Sequence, residues 1–501
     1  MTNPVCLLGF DIGSSFVKAS VIRADTGELL ASASSPNAEM KMISEKPGWA
    51  EQDPESWWSN VVNTANILIR EKKIAPESIS AIGISYQMHG LVVIDESQTV
   101  LRPSIIWCDS RAAEFGRKAF EALGKEYCLQ NYLNSPGNFT ASKLKWVREN
   151  EPDLYRKIDK IMLPGDYIAM KLTGRVSTTV SGLSEGIMWN FINDAPAAEL
   201  LDYFEIEQSK LPRAHSSFEV SGKLSNDAAW ALNLPAGIPV AYRAGDQPNN
   251  AFSLNALHPG EFAATAGTSG VVYGVTDKKL YDPLSRVNPF VHVNYSENQQ
   301  RYGVLLCING TGILNSWLRR ILGAGSQVSY EKMNQIAGEA EVGSDNLVFI
   351  PFGNGSERIL EDRDVTAALS GLNFNRHNLS HLLRSAQEGI VFSMNYGLQI
   401  MKEMGMEVQT IKAGHSNMFL SPLFRDAFVN TTGTTLELYN TDGAQGAARG
   451  AGVGAGIYPT TKEAFEGLTV IERIEPDPPK QSMYLEAYQY WLEKLNTKLK
   501  N

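Results

Sequence analysis

Short apolar runs that end on small or polar residues recur along this chain, and each predicts a buried strand followed by a loop. Val5 to Phe10 is the first, closed by Asp11-Ile12-Gly13-Ser14-Ser15. Val17 to Ile22 follows at once, and the turn Asp25-Thr26-Gly27-Glu28 leads into Leu29-Leu30-Ala31. Ile79 to Ser85 runs into Gln87-Met88-His89-Gly90, and Arg102 to Arg111 predicts another strand with a polar, aromatic exit. Ile238 to Tyr242 is a run that ends in Gly245-Asp246. Phe262 to Ala266 delivers the chain into Gly267-Thr268-Ser269-Gly270, with Val271 to Val275 returning. Val304 to Ile308 and Leu347 to Phe352 complete the strand-like runs. Between them the apolar spacing turns helical. Asp53-Pro54 starts a helix through Val61, Val62, Ala65, Leu68 and Ile69, and Gly310-Thr311-Gly312 opens another through Leu314, Trp317, Leu318 and Ile321. Lys143 to Val147, Tyr167 to Leu172, Ser385 to Met404 and Met483 to Leu499 are further helices. In the last, Tyr484, Tyr488, Trp491 and Leu495 face inward.

Strands alternating with helices predict an α/β protein, and in an open α/β sheet the loops after the strand ends are where ligands sit. Two of those loops share a plan. The Gly13 and Gly267 turns each join a strand to its returning neighbour through Gly, Ser and Thr, whose N–H groups and hydroxyls can cradle phosphate oxygens. Two unrelated β-turns would give the same spacing. Asp246, at a strand end ahead of the second turn, has the chemistry to accept a proton from an attacking hydroxyl. Gln87 and His89 offer hydrogen bonds to hydroxyls and Met88 an apolar floor; a histidine buried for packing is the plain alternative. Trp107, Asp109 and Arg111 suit a pocket wall or a structural Asp–Arg pair.

Length and composition narrow the class. A chain of 501 residues is too long for one core, so two large domains are expected, divided as 1–253 and 254–501. With 43% hydrophobic and 20% charged residues it reads as an ordinary globular protein. A net charge of −10 argues against a nucleic-acid partner. Cys6, Cys108, Cys128 and Cys307 are scattered without a CxxC pair, which predicts neither disulfides nor structural zinc. The start, MTNPVCLLGFDIG, lacks the pattern of a secretion signal, and no run of about 20 apolar residues spans a bilayer. A cytoplasmic protein with no membrane partner is expected. His377 and His381 lie four apart without a third ligand, so a solvated helix face is predicted rather than a metal site. Gly443 to Gly456, GAQGAARGAGVGAG, lacks GxGxxG spacing and predicts a small-residue helix packed closely on its neighbours.

The motifs taken together resemble the FGGY carbohydrate kinases, and within them the xylulokinase group. The resemblance rests on FDIGSS with Lys18, WAEQDPESWW, YQMHG, RPSIIWCDSR, NFTASKLKWVREN, IDKIMLPGDY, AGDQ, AGTSG, IPFGNGSER and GAQGAARG, in the family's order over nearly the whole chain. It implies two actin/hexokinase-like (ribonuclease H-like) domains, each a mixed sheet flanked by helices, with a cleft between them that closes over ATP. It implies Asp246 as catalytic base and Asp11 as the residue near Mg²⁺, through water. By the same resemblance Gly13, Ser14, Ser15 and Lys18 form the first phosphate loop, and Gly267, Thr268 and Ser269 the second. Gly312, Gly414 and Asn417 match the adenosine turns, and Gln87, Met88, His89 and Gln247 join Asp246 at the sugar. The implied reaction is ATP-dependent phosphorylation of D-xylulose to D-xylulose 5-phosphate, with ATP and Mg²⁺ as cofactors and a homodimer as one form of assembly. Three places depart from the family pattern: Gln247 where xylulokinases carry Asn, Ala413 to Met418 at the adenine turn, and Ser181 to Gly186. Other readings are a kinase for L-ribulose, sedoheptulose or glycerol, a sugar sensor without catalysis, and an actin-like ATP switch with no acceptor.

Overall fold

The computed structural model describes residues 4–323 and 328–500, so the first three residues of the stretch read above for a secretion signal lie outside it. Strands β1 (Cys6–Ile12), β2 (Val17–Arg23), β3 (Leu29–Ser35), β4 (Ile79–Tyr86) and β5 (Pro239–Gly245) form a mixed sheet with a two-residue edge strand, Gly222–Lys223. A second sheet is built from β6 (Phe262–Ala266), β7 (Gly270–Thr276), β8 (Asn288–Val291), β9 (Tyr302–Ile308), β10 (Thr410–Gly414), β11 (Thr435–Tyr439) and β12 (Val470–Ile474). The first runs β5-β4-β1-β2-β3 and the second β8-β9-β7-β6-β10-β11-β12. In both, three antiparallel strands (β1-β2-β3, then β6-β7-β9) are extended by two parallel ones (β4 and β5, then β10 and β11). This is a two-domain actin-like ATPase fold of mixed sheets flanked by helices.

The central strands read as unbroken apolar runs because both of their faces are buried. On one face of the first sheet, Leu8, Phe10, Ile82 and Ile84 pack with Trp57 and Val61 of the Pro54–Asn66 helix and Tyr167 of the Pro164–Thr173 helix. On the other, Leu7, Ala81 and Tyr242 meet Ala447, Ala448 and Ala451. Those alanines belong to the Gly443–Gly454 helix, a segment of the second half that lies across the first sheet. The approach is close: a Cβ on Gly9 would sit 2.0 Å from the Ala444 carbonyl oxygen, and one on Gly446 would sit 2.7 Å from Ser253 Cβ. The small-residue run is therefore a packing surface. The second sheet is covered by the Leu379–Glu403 and Pro422–Thr432 helices, and the Pro478–Lys500 helix packs on them, burying Tyr484, Tyr488, Trp491 and Leu495.

Two expectations need correction. Arg102 to Arg111 is a strand only at Ser104–Ile105. Beyond it the chain is tied into an irregular path by Asp109, which accepts the Ala50 N–H at 2.6 Å and pairs with Arg111 at 2.7 Å. Arg111 also reaches Glu51 and lies over the Trp49 ring, so this is the structural Asp–Arg pair. His377 is not on a helix; Asn378 caps the helix that begins at Leu379, and the His377 side chain is buried beside Asp345.

Candidate functional site

Strand register puts the chemistry at one edge. Ile12 of β1 pairs with Tyr86 of β4, and Tyr86 with Gly245 of β5, so the residues that follow, Gly13, Gln87 and Asp246, leave the sheet level with one another. They open onto a cleft of about 3000 Å³. Its opposite wall comes from the second half, where the β6–β7 turn brings Gly267, Thr268 and Ser269 to the same space. Of the residues singled out in the sequence, Asp11, Gly13, Ser14, Ser15, Lys18, Gln87, Met88, His89, Asp246, Gln247, Gly267, Thr268, Ser269, Gly312 and Asn417 all line this one cleft, as do Trp107 and Asp109. Gly414 does not: it ends β10, where a Cβ would meet the Thr441 carbonyl oxygen at 3.2 Å, and it sets the turn from which Asn417 reaches the cleft.

Asp246 is the first residue of the Asp246–Ser253 helix, where the helix N-terminus favours negative charge. Burial and the charge of Asp11 nonetheless push its pKa up to about 7, partly offset by the amides of Gln247. The ordinary carboxylate value expected of an aspartate thus gives way to one near neutrality. Asp11 takes the Ser85 hydroxyl on Oδ1 at 2.7 Å; burial raises its pKa too, opposed by Ser85 and Lys18. The two acids bear on one another with Lys18 the facing cation, an oxygen set that suits a hard dication completed by water and phosphate. Among the described residues no cluster of three or more His, Cys, Asp or Glu side chains could hold a metal by itself.

The two turns are fixed differently. Gln52, fully buried, donates to the Ser14 carbonyl at 2.6 Å, and its Oε1 takes Trp57 Nε1 at 3.0 Å and Gln87 Nε2 at 3.3 Å. Trp107 Nε1 reaches Ser14 Oγ at 3.4 Å. The second turn is held by backbone: Gly267 O accepts the Gly312 N–H at 2.9 Å and Thr268 O the Ile313 N–H at 3.2 Å, at the start of the Gly312–Leu322 helix. A Cβ on Gly312 would lie 2.2 Å from Gly267 O, so glycine is required there.

In the same cleft His89 packs edge-on against Phe139, with centroids 4.9 Å apart, and lies 5.4 Å from Phe290 of β8. Buried Lys143 donates to the carbonyls of His89, at 2.8 Å, and Ile106, at 3.0 Å. Burial and Lys143 lower the His89 pKa to about 3, so the ring is neutral. Arg358 of the second half reaches Ser135 Oγ at 2.7 Å and Ser285 Oγ at 2.8 Å, and its charge is paired with Asp362. Sequence reasoning missed Gln52, Lys143, Phe290 and Arg358 as site residues. Gln52, Lys143 and Arg358 stood inside the family motifs without a role of their own, whereas Phe290 lies in a stretch whose pattern predicted no element.

Comparison with known proteins gives the same picture. The model of the N-terminal domain of the FGGY family of carbohydrate kinases matches residues 6–253, and that of its C-terminal domain matches residues 262–457. The chain is 26% identical over 486 residues to a xylulose kinase of Escherichia coli (strain K12), covering 96% of this chain and 95% of that one. It is 28% identical over 501 residues to an L-xylulose/3-keto-L-gulonate kinase of the same organism, covering 96% and 95%. The crystal structure of a xyloylose kinase from Brucella ovis superposes with a TM-score of 0.86 at 26% identity, covering 98% and 99%.

Proposed function

The chain belongs to the FGGY family of carbohydrate kinases, and from that premise we propose that it transfers the γ-phosphoryl group of ATP to the 5-hydroxyl of D-xylulose. The observation that carries this reading is the meeting of Asp246, Asp11 and both glycine turns in one cleft that Gln87, Met88 and His89 also line. The relatives named xylulose kinase, at low identity over nearly full length, support the choice of sugar.

Phosphoryl transfer of this kind depends on positioning and on charge stabilisation. In the proposed reaction Asp246 accepts the proton of the sugar hydroxyl. A base with a pKa of about 7 is about half ionised at neutral pH and accepts a proton more readily than an ordinary aspartate. The Gly13–Ser15 and Gly267–Ser269 backbones offer N–H groups to the phosphate oxygens, as successive amides in tight turns do. Mg²⁺ bound with the nucleotide would supply positive charge beside the phosphates. Asp11, braced by Ser85, is the residue that would hold it through water. Residues 1–253 and 254–501 are taken as the two units that close on the substrates and exclude water as a competing acceptor.

A panel of D-xylulose, L-xylulose, L-ribulose, sedoheptulose and glycerol in a coupled ADP-release assay tests the proposal. The highest kcat/KM is expected for D-xylulose. A higher value for another acceptor would transfer the assignment to that acceptor, and ATP hydrolysis indifferent to every one of them would favour the actin-like switch.

A further inference from the structure

Ser181 to Gly186, the stretch that departs from the family pattern, forms the short Val180–Glu185 helix wedged between the acceptor end of the cleft and the second sheet. Ser181 Oγ donates to the Val291 carbonyl at 3.1 Å, and Ser184 Oγ accepts the Val291 N–H at 3.0 Å, so both halves of the molecule hold this helix. Its last residue, Glu185, is fully buried. Oε1 accepts the His89 N–H at 3.3 Å, and the Glu185 main-chain oxygen lies 2.9 Å from His89 Nδ1. Oε2 makes no hydrogen bond of normal geometry, although the buried and equally unpaired Tyr86 hydroxyl bears on the carboxyl, and it lies against Gly245, the residue before Asp246; a Cβ there would sit 2.6 Å from it. A buried polar atom left unpaired is unfavourable, so an acid in this position calls for an explanation.

His89 has a φ of +62°, in the left-handed region that residues other than glycine seldom occupy. It stays there because Glu185 holds its N–H and its ring while Lys143 holds its carbonyl. A ring nitrogen facing a carbonyl oxygen must carry the proton, so Nδ1 is the donor and, the ring being neutral, Nε2 keeps its lone pair. Among the described residues Nε2 has no hydrogen-bond partner, and His89 lines the cleft.

Resting on the sugar-kinase reading above, we propose that Glu185 is a positioning residue for the acceptor: it fixes His89 at backbone and ring so that Nε2 takes a hydrogen bond from a hydroxyl of a neutral ketose or polyol. The state of its own carboxyl fits this role. Burial and the charges of Asp246 and Asp166 raise its pKa well above the usual carboxylate range, which leaves it neutral behind the proposed base.

Steady-state kinetics with the full chain test the proposal. Glu185→Ala is expected to raise the KM for sugar about tenfold while kcat and the KM for ATP stay within about twofold; Glu185→Gln, neutral and of the same shape, keeps the sugar KM within about threefold. In a His89→Ala background, adding Glu185→Ala changes the sugar KM by less than about twofold, because its effect passes through His89. Should Glu185→Ala not fold, Glu185→Met fills the same space without a polar atom and takes its place. An unchanged sugar KM, an equal rise in the KM for ATP, a full tenfold effect without His89, or a tenfold effect of Glu185→Gln would each overturn the proposal. Wild-type protein that releases ADP with none of the sugars or polyols would overturn the kinase reading and this inference together. An active wild type with an indifferent Glu185→Ala would overturn this inference alone.

Discussion

Gly13-Ser14-Ser15 and Gly267-Thr268-Ser269 each join the first two strands of a sheet built on the same five-strand plan, yet they are fastened to different things. Two residues ahead of its glycine the first hairpin carries Asp11, and the second carries Thr265. The first turn is wired by side chains, through Gln52 to Gln87 and through Trp107 to Ser14. The second is stapled by its own backbone to the start of the Gly312–Leu322 helix. A duplicated fold thus repeats the anion cradle, while the connections behind it differ. On the proposed reading the first turn communicates with the acceptor and its base, and the second only with the nucleotide.

The sharpest way to break that division is at the acid. Asp246→Asn keeps the shape but removes the proton acceptor, and sugar-dependent ADP release is expected to fall at least about a hundredfold with ATP binding unchanged in calorimetry. Wild-type turnover in this variant would remove Asp246 from its role. The acid should also be visible in the pH profile. With its pKa near 7, kcat/KM is expected to fall about tenfold per pH unit on the acid side of that value. The stability contribution has the opposite sign. A carboxyl whose folded pKa lies above its unfolded value of about 4 binds more protons in the fold between the two, so stability declines as pH rises from about 4 to about 7. Asp246→Asn is expected to flatten both dependences, the first by activity across pH and the second by thermal melts across pH.

Gly312→Ala tests the second turn. Its Cβ would press on Gly267 O, and overpacking of about 1–3 kcal/mol is expected to raise the KM for ATP about tenfold and leave that for sugar alone. Gln52→Leu tests the first in the other direction. It strands the Ser14 carbonyl, Trp57 Nε1 and Gln87 Nε2, and is expected to raise the sugar KM about fivefold with a lower melting midpoint. If Gln52→Leu altered only the KM for ATP, the two turns would not differ as argued.

Much of this was legible in the residues. The runs at Phe262–Ala266 and Ile79–Ser85, the Asp53-Pro54 helix start and the inward face Tyr484, Tyr488, Trp491 and Leu495 reappear in the structure because each follows from local spacing or capping. Asp53 does accept the Glu55 N–H at 3.0 Å. The stretch from Arg102 to Arg111 failed as a strand because Asp109, Arg111 and Glu51 satisfy one another across sequence-distant segments, which no local pattern records. Glu185 was unreadable for the same reason, since its partners lie about a hundred residues away on the YQMHG loop.

The sequence by itself determined the strand and helix periods, the two glycine turns, the family resemblance and the candidate acid, because backbone geometry and burial impose those patterns residue by residue. Only the tertiary structure decided that Asp11 and Asp246 share one electrostatic field, that His89 keeps Nε2 free as an acceptor, and that the Gly443–Gly454 helix lies on the first sheet. Those outcomes depend on charges and packing between distant segments, and such interactions act through space rather than along the chain.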